Sequence, residues 1–122
     1  MTTNKFDMVI GDNETLEVEI TDEDDVAIPL ASTKIWFTIR KNYTDEDFIV
    51  QKKNSLAGGD DTEIKITDGS GGVCEIYLVP DDTKGLLADF YVYDVQISNA
   101  SYGIKTVISN RIFFKSQVTI VE

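Results

Sequence analysis

Short runs in which apolar and polar residues alternate dominate this sequence. The segments ETLEVEI (14–20) and KIWFTIRK (34–41) place aliphatic or aromatic residues at every second position, and VCEIYL (73–78) and DFYVYDVQIS (89–98) do the same. Successive side chains of a β-strand point to opposite faces of the sheet. A period of two therefore predicts strands with one buried face.

Turn-forming residues separate these runs and divide the chain into short segments. Acidic or glycine-rich stretches such as TDEDD (21–25) and DGSGG (68–72) have the composition of turns. Further short strands are predicted at 6–10, 48–53 and 62–67, and a loop is predicted at 54–61. One helical turn is expected in the crossover VPDDTKGLLA (79–88), and the chain is expected to end in two strands, 103–109 and 111–121, with a break at Asn110.

No segment sustains the 3.6-residue period of a helix, so the pattern predicts an all-β protein. About seven to nine short strands with regular turns are typical of an antiparallel β-sandwich or a small barrel. The length of 122 residues fits a single domain over 1–122.

The segment 89–98 is the richest predicted strand. Tyr91 and Tyr93 share its apolar face, which is expected to lie in the core together with Phe37. Phe90 and Val92 make the other face apolar at its start, so that part is predicted to be covered on both sides. Tyr91 is either an ordinary core residue or a tyrosine corner, whose hydroxyl bonds to the preceding crossover.

Charge and composition limit the classes of partner. The net charge is −11, from 22 acidic and 11 basic residues, so binding to nucleic acid or to an anionic membrane is not expected. The first residues, MTTNKFDMVIGDNE, lack the basic and apolar regions of a signal peptide. We expect synthesis in a cytoplasm.

The residues offer little for catalysis, and no cofactor or enzymatic activity is expected. The chain has no histidine, the commonest general base and metal ligand. Cys74 alternates with aliphatic residues, as a buried, inert thiol would. Acidic clusters such as 22–25 and 45–47 are expected to be solvated turns. A calcium site is the less favoured interpretation of these clusters, and a hydrolase with loop carboxylates is the least favoured.

Trp36 is a candidate contact residue. If Ile35, Phe37 and Ile39 fill the core, then Trp36, Thr38 and Arg40 point outward on the same strand. An exposed tryptophan can anchor a protein interface. The alternative is that a neighbouring loop covers Trp36.

The order of motifs resembles that of a phage protein family. The segment 11–41 combines a first strand, an acidic turn and an aliphatic-x-Phe-x-aliphatic-Arg-Lys strand. The segment 71–97 follows with a strand after glycine, a crossover containing Asp-Thr, and Tyr-x-Tyr-Asp-Val at 91–95, and a closing strand pair carries Thr106 and Phe113. Nearly the whole chain resembles the immunoglobulin-like N-terminal module of siphophage baseplate upper proteins and related small phage structural proteins.

The resemblance implies an immunoglobulin-like sandwich that serves as a non-enzymatic component of a phage or prophage tail or baseplate. It implies a place in the virion and contacts with other phage structural proteins or with further copies of this chain. The family carries no catalytic residues to transfer. The alternative function is a β-sandwich module that binds a glycan or a protein on the host surface.

Overall fold

The computed structural model describes residues 6–54 and 63–115, which form eight strands and one short helix. The elements are β1 (Phe6–Val9), β2 (Glu14–Glu19), β3 (Lys34–Arg40), β4 (Val50–Lys53), β5 (Ile64–Asp68), β6 (Val73–Leu78), α1 (Pro80–Thr83), β7 (Asp89–Asn99) and β8 (Gly103–Lys115).

The strands form two sheets, and the prediction of an all-β, immunoglobulin-like sandwich is confirmed. The large sheet has the order β1-β8-β7-β3-β4, and the small sheet has the order β2-β6-β5. The pairs are antiparallel except for β1 and β8, which run parallel. The one parallel pair joins segments from opposite ends of the chain, between which no hairpin dictates an antiparallel direction.

The core lies between the two sheets and is built by the alternating positions. Its buried apolar residues include Leu16, Val18, Ile35, Phe37, Ile39, Cys74, Ile76, Leu78, Tyr91, Tyr93, Val95, Ile97, Ile112 and Phe114. The rings of Phe37 and Tyr93 pack with centroids 5.6 Å apart. Burial, reinforced by the neighbouring charge of Glu75, raises the pKa of the Cys74 thiol to about 12, so the thiol stays protonated and inert.

The crossover between β6 and β7 contains the expected helical turn, α1, and is tied at both ends. Asp82 accepts a hydrogen bond from the Val79 amide at 2.8 Å and pairs with Lys52 at 2.9 Å. The Tyr91 hydroxyl donates to the Leu87 carbonyl at 2.9 Å, four residues upstream. This is the geometry of a tyrosine corner.

The end of the chain differs from its prediction. The segments 103–109 and 111–115 are one strand, β8, and Asn110 pairs with Tyr93 without a break. The irregularity lies earlier, where the register shifts between Val95 and Gln96. A bulge of this kind accommodates an extra residue without ending the strand. Most of the predicted loop 54–61 and the predicted strand residues 116–121 lie outside the described residues.

Candidate interaction surface

The solvent-facing side of the large sheet, here called the large-sheet face, is built from rows of residues in register. One row holds Lys53, Trp36, Gln96 and Thr106, and the next holds Gln51, Thr38, Asp94 and Ser109. A third row holds Arg40, Val92 and Arg111, and the last pairs Phe90 with Phe113. Because side chains alternate along each strand, the inward neighbours of these residues fill the core.

The three predicted contact residues share this face but differ in exposure. Trp36 is half-buried, and Arg40 keeps 28% of its side chain exposed. Thr38 is only 5% exposed, and its hydroxyl accepts a hydrogen bond from the Gln51 amide at 3.3 Å. Thr38 therefore exposes little surface to a partner, and its role as a contact residue stays a prediction.

Arg40 and Asp94 lie on neighbouring strands of the large-sheet face and form an ion pair there. Their closest atoms are 4.0 Å apart. Burial raises the pKa of the Asp94 carboxyl, and the charge of Arg40 opposes that rise only in part. The Arg40 Nε is buried and has no hydrogen-bond partner among the described residues. The pair is therefore incompletely satisfied within the molecule.

A cleft of about 290 Å³ adjoins Trp36 and is lined by Lys34, Ile35, Trp36, Lys53 and Asn54. Asn54 shapes its wall by accepting a hydrogen bond from the Ile35 amide and donating one to the Thr33 carbonyl, each at 2.8 Å. The cleft combines an indole with two ammonium groups, which suits an acidic partner surface.

Sequence reasoning missed a second set of residues at the other end of this face. Phe90 and Phe113 pack with ring centroids 4.8 Å apart, and the Arg111 guanidinium lies 5.1 Å from the Phe90 ring centroid. These three residues are here called the aromatic cluster. Phe90 is 51% exposed, so the prediction that both faces of this part of the strand are covered is wrong.

The signal for the aromatic cluster was present in the sequence. Phe90 and Val92 are apolar at positions that alternate with the core residues of β7, and Phe113 occupies such a position in β8. A second apolar face indicates either a covering layer or a contact surface. No described element packs over Phe90, so its ring is left exposed to solvent and open to a partner.

The opposite end of the sandwich carries another cleft, of about 230 Å³, between the β2–β3 and β7–β8 connections. Its lining residues are Pro29, Ala31, Ser32, Asn99, Ala100, Ser101 and Tyr102. The β7–β8 turn is held by a hydrogen bond from the Tyr102 amide to Asn99 Oδ1 at 2.7 Å. Tyrosine, serine and asparagine are the residues that binding loops on immunoglobulin domains favour.

The acidic turns bring no metal-binding set together in the part of the chain that the structure describes: no group of three or more histidine, cysteine, aspartate or glutamate side chains is placed to hold an ion. In the turn 22–25, Asp22 instead caps its own backbone by accepting bonds from the amides of Asp24 and Val26. Within the same described ranges, no helix has the length and apolarity required to span a bilayer.

No protein-family model matches this chain, and neither does any curated protein. Among 38 chains of solved structures that match, the NK cell receptor Nkp44, described as a triggering partner in natural cytotoxicity, superposes with a TM-score of 0.52 at 12% sequence identity. The alignment covers 96% of this chain and 100% of the receptor chain. At this identity the similarity shows the immunoglobulin-like fold alone.

Proposed function

We propose that this protein is a non-enzymatic structural subunit of a phage or prophage particle, in its tail or baseplate, and that it assembles through the large-sheet face. The assignment to a particle is supported by the resemblance of the motifs in 11–41 and 71–97 to the phage module. The partners are other structural proteins of the particle.

The observation that carries the assembly role is the chemistry of the large-sheet face. In a chain of net charge −11, this face carries the cations Lys34, Arg40, Lys53 and Arg111 beside half-buried Trp36 and exposed Phe90. Aromatic residues and arginine are enriched at protein interfaces. Such a face favours docking to an acidic protein surface.

The test asks whether the chain belongs to particles and whether this face holds it there. Particles are purified by density-gradient sedimentation from lysates of cells in which the gene is deleted and replaced by the wild type, Trp36→Ala or Phe48→Ala. Phe48 is exposed in the β3–β4 connection, so its variant is the matched control.

We expect the wild type and Phe48→Ala to sediment with the particles, and Trp36→Ala to be depleted about tenfold or more, as for a residue at the centre of an interface. A wild-type chain that never sediments with particles would refute the proposed role. Incorporation of Trp36→Ala at the wild-type level would instead show that Trp36 is not part of the assembly surface.

The second candidate function is binding of a host-surface glycan or protein, favoured by the cleft between Pro29 and Tyr102. Tyr102 is 38% exposed there and offers a ring for stacking on a sugar. Saturable binding of the isolated protein to host cell-wall polysaccharide, lost in Tyr102→Ala and kept in Tyr43→Ala, would support it. Tyr43 is an exposed tyrosine at the opposite end of the sandwich. Binding that is unchanged in both variants would show that the cleft is not the binding site.

A further inference from the structure

The aromatic cluster presents an apolar surface with cations at its edge. Phe90 is 51% exposed beside Phe113, and the adjacent row places Arg40 and Arg111 on either side of Val92. Among the carboxylates whose side chains the structure describes, in residues 9–54 and 63–115, none forms an ion pair with Arg111. The matching occupant is a small apolar side chain flanked by carboxylates.

The chain carries such an element in residues 22–26, here called the acidic tip. Glu23, Asp24 and Asp25 are exposed, and Val26 follows them with 58% exposure. An apolar side chain projects there next to three carboxylates. This is the complement of two phenylalanines next to two arginines.

The acidic tip is held in one conformation by its own backbone. The Asp22 amide donates to the Val26 carbonyl at 2.9 Å, and the Asp25 amide donates to the Asp22 carbonyl at 3.1 Å. Asp22 Oδ1 accepts from the amides of Asp24 at 2.8 Å and Val26 at 3.1 Å. A preorganised element loses little conformational entropy when it docks.

The acidic tip and the aromatic cluster lie at opposite ends of the sandwich. The tip precedes β3, whose first residue Lys34 pairs with Ser98 near the end of β7, whereas Phe90 lies at the start of β7. The eight residue steps from Phe90 to Ser98 span about 26 Å at the usual rise of a strand. One molecule therefore cannot dock its own tip on its own cluster, but two molecules can dock head to tail.

A second acidic segment, the β3–β4 connection with Asp45 and Glu46, is the weaker occupant. It follows Arg40 at the same end as the aromatic cluster, and its Tyr43 lines a small crevice of about 20 Å³ with Thr38, Arg40 and Val92 of the same molecule. Because this connection already packs beside the large-sheet face, it projects less freely than the acidic tip.

We propose that the aromatic cluster is a self-association site that receives the acidic tip of a second copy of this chain. The contact is heterologous, so a dimer still has one free tip and one free cluster. Further copies can therefore add until the assembly closes into a ring or grows into a filament. This inference rests on the proposed role as an assembling subunit and names one of its partners.

The experiment measures the mass of the purified full chain by sedimentation velocity at increasing concentration. A salt concentration of about 0.15 M screens the repulsion between the acidic molecules beyond about 8 Å. The variants are Arg111→Glu, which reverses the charge of the cluster, and Asp24→Arg, which reverses that of the tip. The controls are Lys84→Glu and Glu46→Arg, which make the same charge changes at exposed residues outside both elements. Circular dichroism checks that each variant folds.

We expect the wild type and both controls to form oligomers, and each of the two variants alone to associate at least about tenfold more weakly. In an equal mixture of Arg111→Glu and Asp24→Arg, the intact tip of the first variant meets the intact cluster of the second, and the reversed tip meets the reversed cluster. The mixture should therefore form oligomers although neither variant does so alone. The chain that carries both substitutions should regain association through the reversed ion pair.

Several results would overturn the inference. They are a wild type that stays monomeric at every concentration, variants that associate like the wild type, a mixture that forms no oligomers, or loss of association in Glu46→Arg but not in Asp24→Arg. These results leave the particle experiment unaffected, because a monomer can still be incorporated through Trp36. Failure of self-docking is thus distinguishable from failure of the proposed function.

Discussion

The inner and outer sides of β7 differ in what covers them. Inward, Tyr91 and Tyr93 are 5% and 1% exposed and pack against the rings of Phe114 and Phe37. Outward, Phe90 is half-exposed, and the half-buried Asp94 faces Arg40. Both sides carry aromatic residues, so residue type does not separate them. The two sides differ because the second sheet covers only the inner one, so the inner residues stabilise the fold and the outer residues stay open to solvent.

The largest expected effect comes from truncating an aromatic residue on each side of β7. Tyr93→Ala leaves a cavity between the sheets and should lower the free energy of unfolding by about 3–5 kcal/mol. Phe90→Ala removes an exposed ring and one aromatic pair, and should cost at most about 1.5 kcal/mol. Urea denaturation of both variants measures the difference. Equal losses would mean that the outer side is as closely packed as the core.

The next effect concerns the tyrosine corner. Tyr91→Phe keeps the buried ring but removes the hydrogen bond to the Leu87 carbonyl, and should cost about 0.5–1.5 kcal/mol. Tyr102→Phe, at an exposed tyrosine of the β7–β8 turn, serves as the control and should change stability by less than about 0.5 kcal/mol. Thermal denaturation of the two variants tests this expectation. If Tyr91→Phe is as stable as the control, Tyr91 stabilises the fold through the packing of its ring and not through its hydroxyl.

The smallest effect is a pH dependence with opposite signs at two aspartates of β7. Burial raises the pKa of Asp94, so the folded state holds this proton more tightly, and the residue's contribution to stability falls as pH rises through the raised pKa. The side-chain hydrogen bond from Lys41, followed by the Phe90 amide and the charge of Lys41, lowers the pKa of Asp89. The contribution of Asp89 to stability is therefore present at pH values above the usual pKa of aspartate, and it is lost as pH falls through the lowered pKa.

The measurement compares unfolding free energies of Asp94→Asn and Asp89→Asn with the wild type from acidic to neutral pH. Relative to the wild type, Asp94→Asn should gain stability as pH rises, whereas Asp89→Asn should lose it. The same sign of change in both variants would contradict the assignment of desolvation to one carboxyl and ion pairing to the other.

Prediction from sequence succeeded where the pattern was local. The alternation in 14–20, 34–41 and 73–78 placed β2, β3 and β6, because a strand sends neighbouring side chains to opposite faces whatever the rest of the fold does. The helical turn of α1 followed from the proline and aspartates of the crossover. The pairing of β1 with β8 could not be predicted, since it joins distant segments without a hairpin.

The candidate contact surface was predictable only in part. Alternation placed Trp36, Thr38 and Arg40 on one face, but the burial of Thr38 depends on Gln51, which reaches it from β4. The aromatic cluster requires Phe90 of β7 and Phe113 of β8 to be neighbours. That register follows from the bulge near Val95, which the residue pattern does not locate.

The order of residues determined that this chain forms strands and which positions face inward. It also favoured a sandwich, because two packed sheets bury the apolar faces of the strands. Strand geometry sets the alternation of the two faces over a few neighbouring residues, and the hydrophobic effect favours burial of whichever face is apolar. The tertiary structure alone decided which outward positions remain exposed. Exposure depends on what lies across the sheet, and strands distant in sequence supply those neighbours.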